Sequence, residues 1–341
     1  MDNLFKNKKI LITGGTGSIA QEILREILKR APTVVRILDV DETKQFELQQ
    51  EYTAYENIRV LLGDIRDKER LYRAVEDVDI VFHTAALKHV LACEYNPFEA
   101  VKTNVIGIQN LIEVCLDNEV EKVIFTSSDK AVNPTNVMGA TKLLAERLII
   151  SANYYKGARK TAFSSVRFGN VLGSRGSVIP LFKKQIEKGG PVTITNNEMT
   201  RFIMPMREAI NLLFKATELA QGGEIFVFKM KAIKITDLVG VMIEELAPNY
   251  EFSPDDIKVE LIGNKPGEKL YEELMTEDDA RRALESEDLF ILLPEMKELS
   301  HIDKSSYPSV SDAEPMAYTS QDTEHLARSE IKEILYQEKL L

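Results

Sequence analysis

The chain has 341 residues, 44% of them hydrophobic and 28% charged, with a formal net charge of -11. That is enough for one large or two modest domains of an ordinary globular protein, and so acidic a surface argues against general nucleic-acid or anionic-membrane binding. Cys93, Cys115 and four scattered histidines leave no disulfide framework and no zinc spacing, so no metal is expected. The stretch Met1 to Lys9 lacks a signal-peptide core, and no apolar run reaches the roughly 18 to 20 residues that span a bilayer. A cytoplasmic, reduced setting without membrane insertion is the expectation.

In chain order, Lys9 to Thr13 reads as a short apolar strand, followed by Gly14-Gly15-Thr16-Gly17-Ser18-Ile19-Ala20 and a helical pattern carrying Ile23, Ile27 and Leu28. Strand, glycine turn and helix together predict a dinucleotide site, because the glycines let backbone N–H groups approach a pyrophosphate at the helix N-terminus. Ala20 takes the third glycine place, where a small residue permits close packing. Val34 to Asp39 is the second strand, ending in an acid. An acid about 20 residues beyond the glycines takes the ribose 2′-OH; Asp39 would repel a 2′-phosphate, and Val40 offers no positive charge. NAD is therefore favoured over NADP.

Arg59 to Ile65 reads as a third strand whose polar end places Asp64 and Ile65 beside the adenine. Asp79 to Ala86 is a fourth, running into the small residues Ala85 and Ala86, which suit close cofactor approach. Lys88 and His89 follow, and His89 is not assigned chemistry. Asn96 to Leu116 is predicted as one long helix carrying Asn104 and Gly107. Strands alternating with helices give parallel βαβ units: an α/β, Rossmann-type doubly wound sheet.

The next strand, Val123-Ile124-Phe125, delivers Thr126-Ser127-Ser128-Asp129-Lys130 at its C-terminal end. That end faces the ligand crevice in an open α/β sheet, and charges are rarely buried there unless paired or used. The plain alternative is a strand-end ion pair feeding a helix cap. Met138 and Lys142, four apart, share one face of the helix that follows. Beyond the strand Ala162 to Phe168, the small polar run Gly169 to Ser177 reads as a crossing into a second unit. A helix is expected from Pro180 to Lys188, a short strand from Val192 to Thr195 and a helix from Arg207 to Leu219. Glu224 to Phe228 is expected as the far edge strand, with short helices and loops from about residue 229, and a closing helix Glu330 to Leu340 capped by Ser329.

Several segments carry a resemblance: Thr13 to Ser18, Ala85 to Val90, Ser128 to Pro134, Asn136 to Lys142, Arg167 to Val171 and Met199 to Phe202, with a fainter echo at Gly267-Glu268-Lys269. The chain resembles the extended short-chain dehydrogenase/reductases that act on nucleotide sugars, and more narrowly the UDP-N-acetylglucosamine 4,6-dehydratases of surface-polysaccharide and flagellin-sugar pathways. Met138 stands where the superfamily has tyrosine, as in a subset of these dehydratases, and Asp39-Val40 replaces the Ser-Arg pair of members that prefer NADP.

The resemblance implies UDP-GlcNAc as substrate, NAD as cofactor and a homo-oligomer. It also implies a redox-neutral reaction: oxidation at C4, loss of the C5 proton and of water from C6, then reduction at C6. Asp129 would protonate the departing C6 hydroxyl and Lys130, as a neutral amine, would take the C5 proton. Lys142 would be the neighbouring cation and a ribose contact, and Ser128 would bond the C4 oxygen. Lysine at 130, where retaining relatives carry glutamate, implies inversion at C5. Gly14, Thr16, Gly17, Ser18, Ile19, Asp39, Asp64, Ile65, Ala85, Ala86, Lys88, Asn104 and Lys142 would hold the cofactor. Lys88, Met138, Asn170, Arg175, Ser177, Thr195, Arg201 and Glu268 would hold the substrate, with Met138 as either a sugar contact or filler. A cofactor domain of residues 1–168 plus about 205–228, and a discontinuous substrate unit of 169–204 plus 229–341, complete the expectation.

Overall fold

Ile10, Leu11 and Ile12 are all fully buried, so β1 (Lys9–Thr13) has no solvent face. A strand apolar on both sides needs helices above and below it, as in a parallel sheet. The computed structural model, which describes residues 3–174, 176–296 and 302–341, places β1 in the middle of one. It is followed by α1 (Ser18–Leu28), β2 (Val34–Asp39), α2 (Glu42–Glu51), β3 (Ile58–Leu62), α3 (Lys68–Val75) and β4 (Ile80–His83). Then come α4 (Val90–Tyr95), α5 (Pro97–Val101), α6 (Gly107–Asp117), β5 (Lys122–Thr126), α7 (Val137–Tyr155) and β6 (Ala162–Arg167).

The second half contains β7 (Asn170–Val171), α8 (Val178–Glu187), β8 (Val192–Ile194), β9 (Thr200–Met204), α9 (Met206–Leu219), β10 (Ile225–Phe228), β11 (Lys231–Lys234) and α10 (Ile235–Leu246). After it run β12 (Val259–Leu261), β13 (Glu273–Met275), α11 (Glu277–Ala280), β14 (Ala283–Glu285), β15 (Leu289–Leu292), β16 (Ser311–Asp312), β17 (Tyr318–Thr319) and α12 (Arg328–Gln337).

The main sheet has ten strands in the order β16-β14-β15-β10-β6-β5-β4-β1-β2-β3. From β10 to β3 every pairing is parallel, which is the doubly wound arrangement. The order reverses between β1 and β4, so a crevice opens at their carboxyl ends, where ligands bind in such sheets.

Four expectations are corrected. β10 is not the edge: β15 pairs with it antiparallel, and β14 and β16 continue the sheet outward. Leu274, Met275, Ala280, Ala283, Leu284, Leu289, Ile291, Leu292 and Tyr307 accordingly pack in the core of the main sheet, although residues 229–341 were expected to belong wholly to the second unit. That unit has its own core, formed by residues such as Leu172, Phe182, Ile194, Leu238, Met242 and Ile331. The predicted helix Asn96 to Leu116 is divided by a π turn at Lys102–Ile106. The closing helix starts at Arg328 with Ala327 before it, so Ser329 lies inside the helix rather than at its cap.

Candidate active site

Gly14 closes β1 with φ of 65°, a left-handed conformation that favours glycine. A Cβ there would stand 2.7 Å from the Ala85 backbone, so the tips of β1 and β4 can meet only if that residue is glycine. A cavity of about 960 Å³ opens over this meeting point. The expected cofactor residues Gly14, Thr16, Gly17, Ser18, Ile19, Asp39, Asp64, Ile65, Ala85, Ala86, Lys88 and Lys142 all line it. Gly17 is the N-cap of α1 and brings no side chain to its first turn, and a helix N-terminus favours a pyrophosphate.

Asp39 is fixed at the rim of this cradle. Its Oδ2 accepts from the Thr16 backbone N–H at 2.9 Å and hydroxyl at 2.8 Å, and its Oδ1 from the N–H groups of Val40 and Asp41 at 2.8 and 3.1 Å. Lys44, on the same wall, is paired with Asp41. Asp64 accepts from the Arg66 backbone at 2.9 Å and from its guanidinium at 2.7 Å. Burial pushes the Asp64 carboxyl up, but the Arg66 bonds outweigh it and hold it below the usual range. Asn104 is a correction, for it is absent from the cavity wall. It is buried, bonds the Leu87 N–H at 2.8 Å and C=O at 3.0 Å, and donates to Thr141 Oγ1 at 3.0 Å. It thus anchors the turn that bears Ala85, Ala86 and Lys88.

β5 hands over at Thr126 to a single helical turn, Asp129–Ala131, which Ser128 caps by accepting from the Lys130 N–H. Ser128, Asp129 and Lys130 all line the cavity. The Asp129 carboxylate is fully buried. Its Oδ1 accepts from the Ser128 hydroxyl at 2.5 Å and the Lys130 ammonium at 2.9 Å, while Oδ2 has no partner. A buried polar atom left open in this way is available to a ligand.

Lys130 differs from the expected neutral amine. Burial favours its uncharged form, but Asp129 and Glu272 together outweigh it and raise its pKa above the ordinary value. The cation that opposes them is Arg201 rather than the expected Lys142. Lys142 instead donates to the Thr126 carbonyl at 2.9 Å and lies 4.7 Å from the centre of the Phe125 ring. Burial lowers it to about 8, against the pull of Glu146. Met138, one turn before Lys142, is 3% exposed and packs with Cys93 and Ala100, so it is a wall residue with a core's surroundings.

The expected substrate residues divide. Lys88, Asn170 and Ser177 line the cavity, and the Ser177 hydroxyl is buried without a partner. Arg175 lies outside the described residues. Thr195, Arg201 and Glu268 are not on the wall. Thr195 donates to Met199 Sδ at 3.5 Å. Arg201 donates to the carbonyls of Thr200, Leu270 and Lys269 at 2.7, 3.1 and 2.9 Å, and lies 3.7 Å from Glu268. Arg201 and Glu268 therefore come together, but in a segment behind Lys130. That segment brings Glu272 to 3.8 Å from Lys130 Nζ. The residue was missed because a Glu-Glu pair in a polar stretch has no periodicity to set it apart from a solvated one.

Among the described residues no group of three or more His, Cys, Asp or Glu is placed to hold a metal, and no helix is long and apolar enough to cross a membrane. The arrangement joins a dinucleotide cradle to a buried acid and its half-buried amine partner in one cavity.

Known proteins share this chain's sequence and shape. A protein of Methanocaldococcus jannaschii, named only as an uncharacterized membrane protein, is 58% identical over 98% of this chain and 97% of its own length. The inverting UDP-N-acetylglucosamine 4,6-dehydratase of Campylobacter jejuni is 43% identical over 86% of this chain and 85% of its own. The X-ray structure of Pen from Bacillus thuringiensis superposes with a TM-score of 0.92 at 47% identity, covering 99% of both chains. The family model described as polysaccharide biosynthesis protein matches residues 10–294, from β1 to just past β15. The chain belongs to the polysaccharide biosynthesis protein family.

Proposed function

We propose that the chain is a UDP-N-acetylglucosamine 4,6-dehydratase that inverts C5, working with NAD. The observation that carries this reading is the hydrogen-bonded Asp129–Lys130 pair, 2.9 Å apart, in the wall of the cavity that the glycine turn opens. A 4-epimerase on this fold would have no use for that pair and would want a tyrosine where Met138 stands.

The cradle fits a dinucleotide, since any side chain at Gly14 would collide with Ala85. Asp39 favours NAD because its charge opposes a 2′-phosphate, and Lys44 is engaged by Asp41. Bound there, the nicotinamide supplies a two-electron acceptor that later acts as donor.

The protein's own part is proton traffic. Ser128 follows β5 and Lys142 reaches the end of that strand from α7; together they hold the C4 hydroxyl and relay its proton. In the resting pair the proton sits on Lys130. A bound sugar displaces water, and a desolvated pair shifts towards its uncharged form, so one proton passes from Lys130 to Asp129. The neutral amine then takes the C5 proton of the 4-keto sugar. Asp129 gives its proton to the leaving C6 oxygen, which departs as water. The pair is then back at carboxylate and ammonium; once C6 has been reduced, C5 takes a proton on its opposite face, and the proton released from the C4 hydroxyl balances it, so the proton count closes.

Incubating the purified protein with UDP-GlcNAc and NAD in heavy water, with the product followed by NMR, tests this. A 4-keto-6-deoxy sugar with inverted C5 is expected. UDP-GalNAc alone would establish the epimerase, and no turnover would end the dehydratase reading.

A further inference from the structure

Glu272 takes no part in the chemistry above, yet it is 4% exposed and aimed at the pair that does. Its Oε1 stands 3.8 Å from Lys130 Nζ and 3.6 Å from Arg201 Nε, and its Oε2 is buried without a hydrogen-bond partner. A buried carboxylate is costly unless opposite charges compensate it. Burial, and then Asp129 from the turn after β5, push the Glu272 carboxyl above its usual range, against the pull of Lys130 from that turn, Arg201 from β9 and Lys269 from its own segment. Glu268 approaches Arg201 to 3.7 Å.

The backbone clamps this acid in place. Its N–H donates to Ser320 Oγ at 2.9 Å, and its carbonyl accepts from the Ser320 N–H at 2.8 Å. On either side, Lys269 donates to the Val132 carbonyl at 2.7 Å and Asn133 donates to the Glu273 carboxylate at 2.6 Å. Residues 269–273 are thus tied to the turn that carries Asp129 and Lys130. The ammonium lies between two carboxylates, one hydrogen-bonded to it and one held slightly farther off.

We propose that Glu272 is the positioning residue of the Asp129–Lys130 pair: held by Arg201, it keeps the Lys130 ammonium charged and directed in the empty site, and so sets the pH at which that amine can accept a proton. Removing one of two anions beside a half-buried ammonium, while Arg201 stays, weakens its hold on the proton. The catalytic half of this inference rests on the dehydratase reading; the electrostatic half does not.

Two measurements on the full chain separate them. Lysines carrying ¹³C at Cε are titrated by NMR in wild type and Glu272→Gln, with the Lys130 signal assigned by its loss in Lys130→Ala. The Lys130 midpoint is expected to fall by about one pH unit, a tenfold weaker proton affinity, and Glu272→Asp is expected to restore most of it. In turnover of UDP-GlcNAc, the acid limb of kcat/KM is expected to move down in pH by the same amount with KM little changed. A shifted midpoint in a protein that does not turn over UDP-GlcNAc would uphold the contact and end the dehydratase reading. Normal wild-type turnover with an unmoved midpoint and limb in a folded Glu272→Gln, checked by its thermal melt, would overturn the inference. If Glu272→Gln does not fold, the wild type decides: a Lys130 midpoint at or below the ordinary lysine value of about 10.4 overturns it, and one above upholds it.

Discussion

The first turn of α7 rests directly on the backbone of Lys130: a Cβ on Gly139 would stand 2.3 Å from the Lys130 carbonyl oxygen. Asn136, the N-cap, accepts from the Gly139 N–H at 2.8 Å and locks the turn there. Lys142 is one turn further on, so the spacing between Lys130 and Lys142 depends on this contact. Gly139→Ala is expected to lower turnover at least tenfold and stability by about 1–3 kcal/mol, as overpacking does. Denaturant unfolding beside kcat measures both. An alanine enzyme with normal kcat would show that the close approach has no bearing on the site.

The division of labour at the pair predicts two different failures. Lys130→Ala should abolish C5 deuterium exchange, because nothing else is assigned to take that proton. Asp129→Asn should still oxidise C4 but lose water about 10²–10⁴ times more slowly, the usual range for a missing general acid. The absorbance of reduced nicotinamide should then accumulate on mixing with UDP-GlcNAc. Persistent exchange in Lys130→Ala would remove Lys130 from the base role.

Asp39 bonds both Thr16 and the backbone of Val40 and Asp41. Asp39→Ala should therefore loosen the cradle as well as delete the charge. Calorimetry is expected to show NAD binding at least tenfold weaker, about 1.4 kcal/mol, with the preference over NADP reduced or lost. A wild type that binds NADP more tightly than NAD would contradict the assigned role.

The buried Lys142 is pushed down to about 8 from an ordinary value of 10.5. Between those values the unfolded chain holds a proton that the folded chain has released, so folded-state stability rises with pH across that window. Relative to Lys142→Met, the wild type should gain up to about 1.4 kcal/mol per pH unit from pH 8 towards 10.5. Parallel chemical-denaturation series at several pH values measure this, and parallel stability curves would show that Lys142 titrates as an ordinary lysine.

What the sequence alone determined is local. An apolar run such as Lys9 to Thr13, a glycine turn opening a helix, an acid ending β2 and a Ser-Asp-Lys run ending β5 each carry their meaning within a few residues, because backbone sterics and side-chain period act at that range. That was enough to bring Asp129, Lys130 and Lys142 to one cavity with the cradle. Tertiary structure alone decided what surrounds them. β14 to β16 extend a sheet whose other strands lie far earlier in the chain, Asn104 turns from the cavity to brace Leu87, and Arg201 and Glu272 converge behind Lys130. None of this leaves a periodic mark, for the charge state of Lys130 depends on acids packed against it from distant segments, Glu272 among them, as well as on its neighbour Asp129.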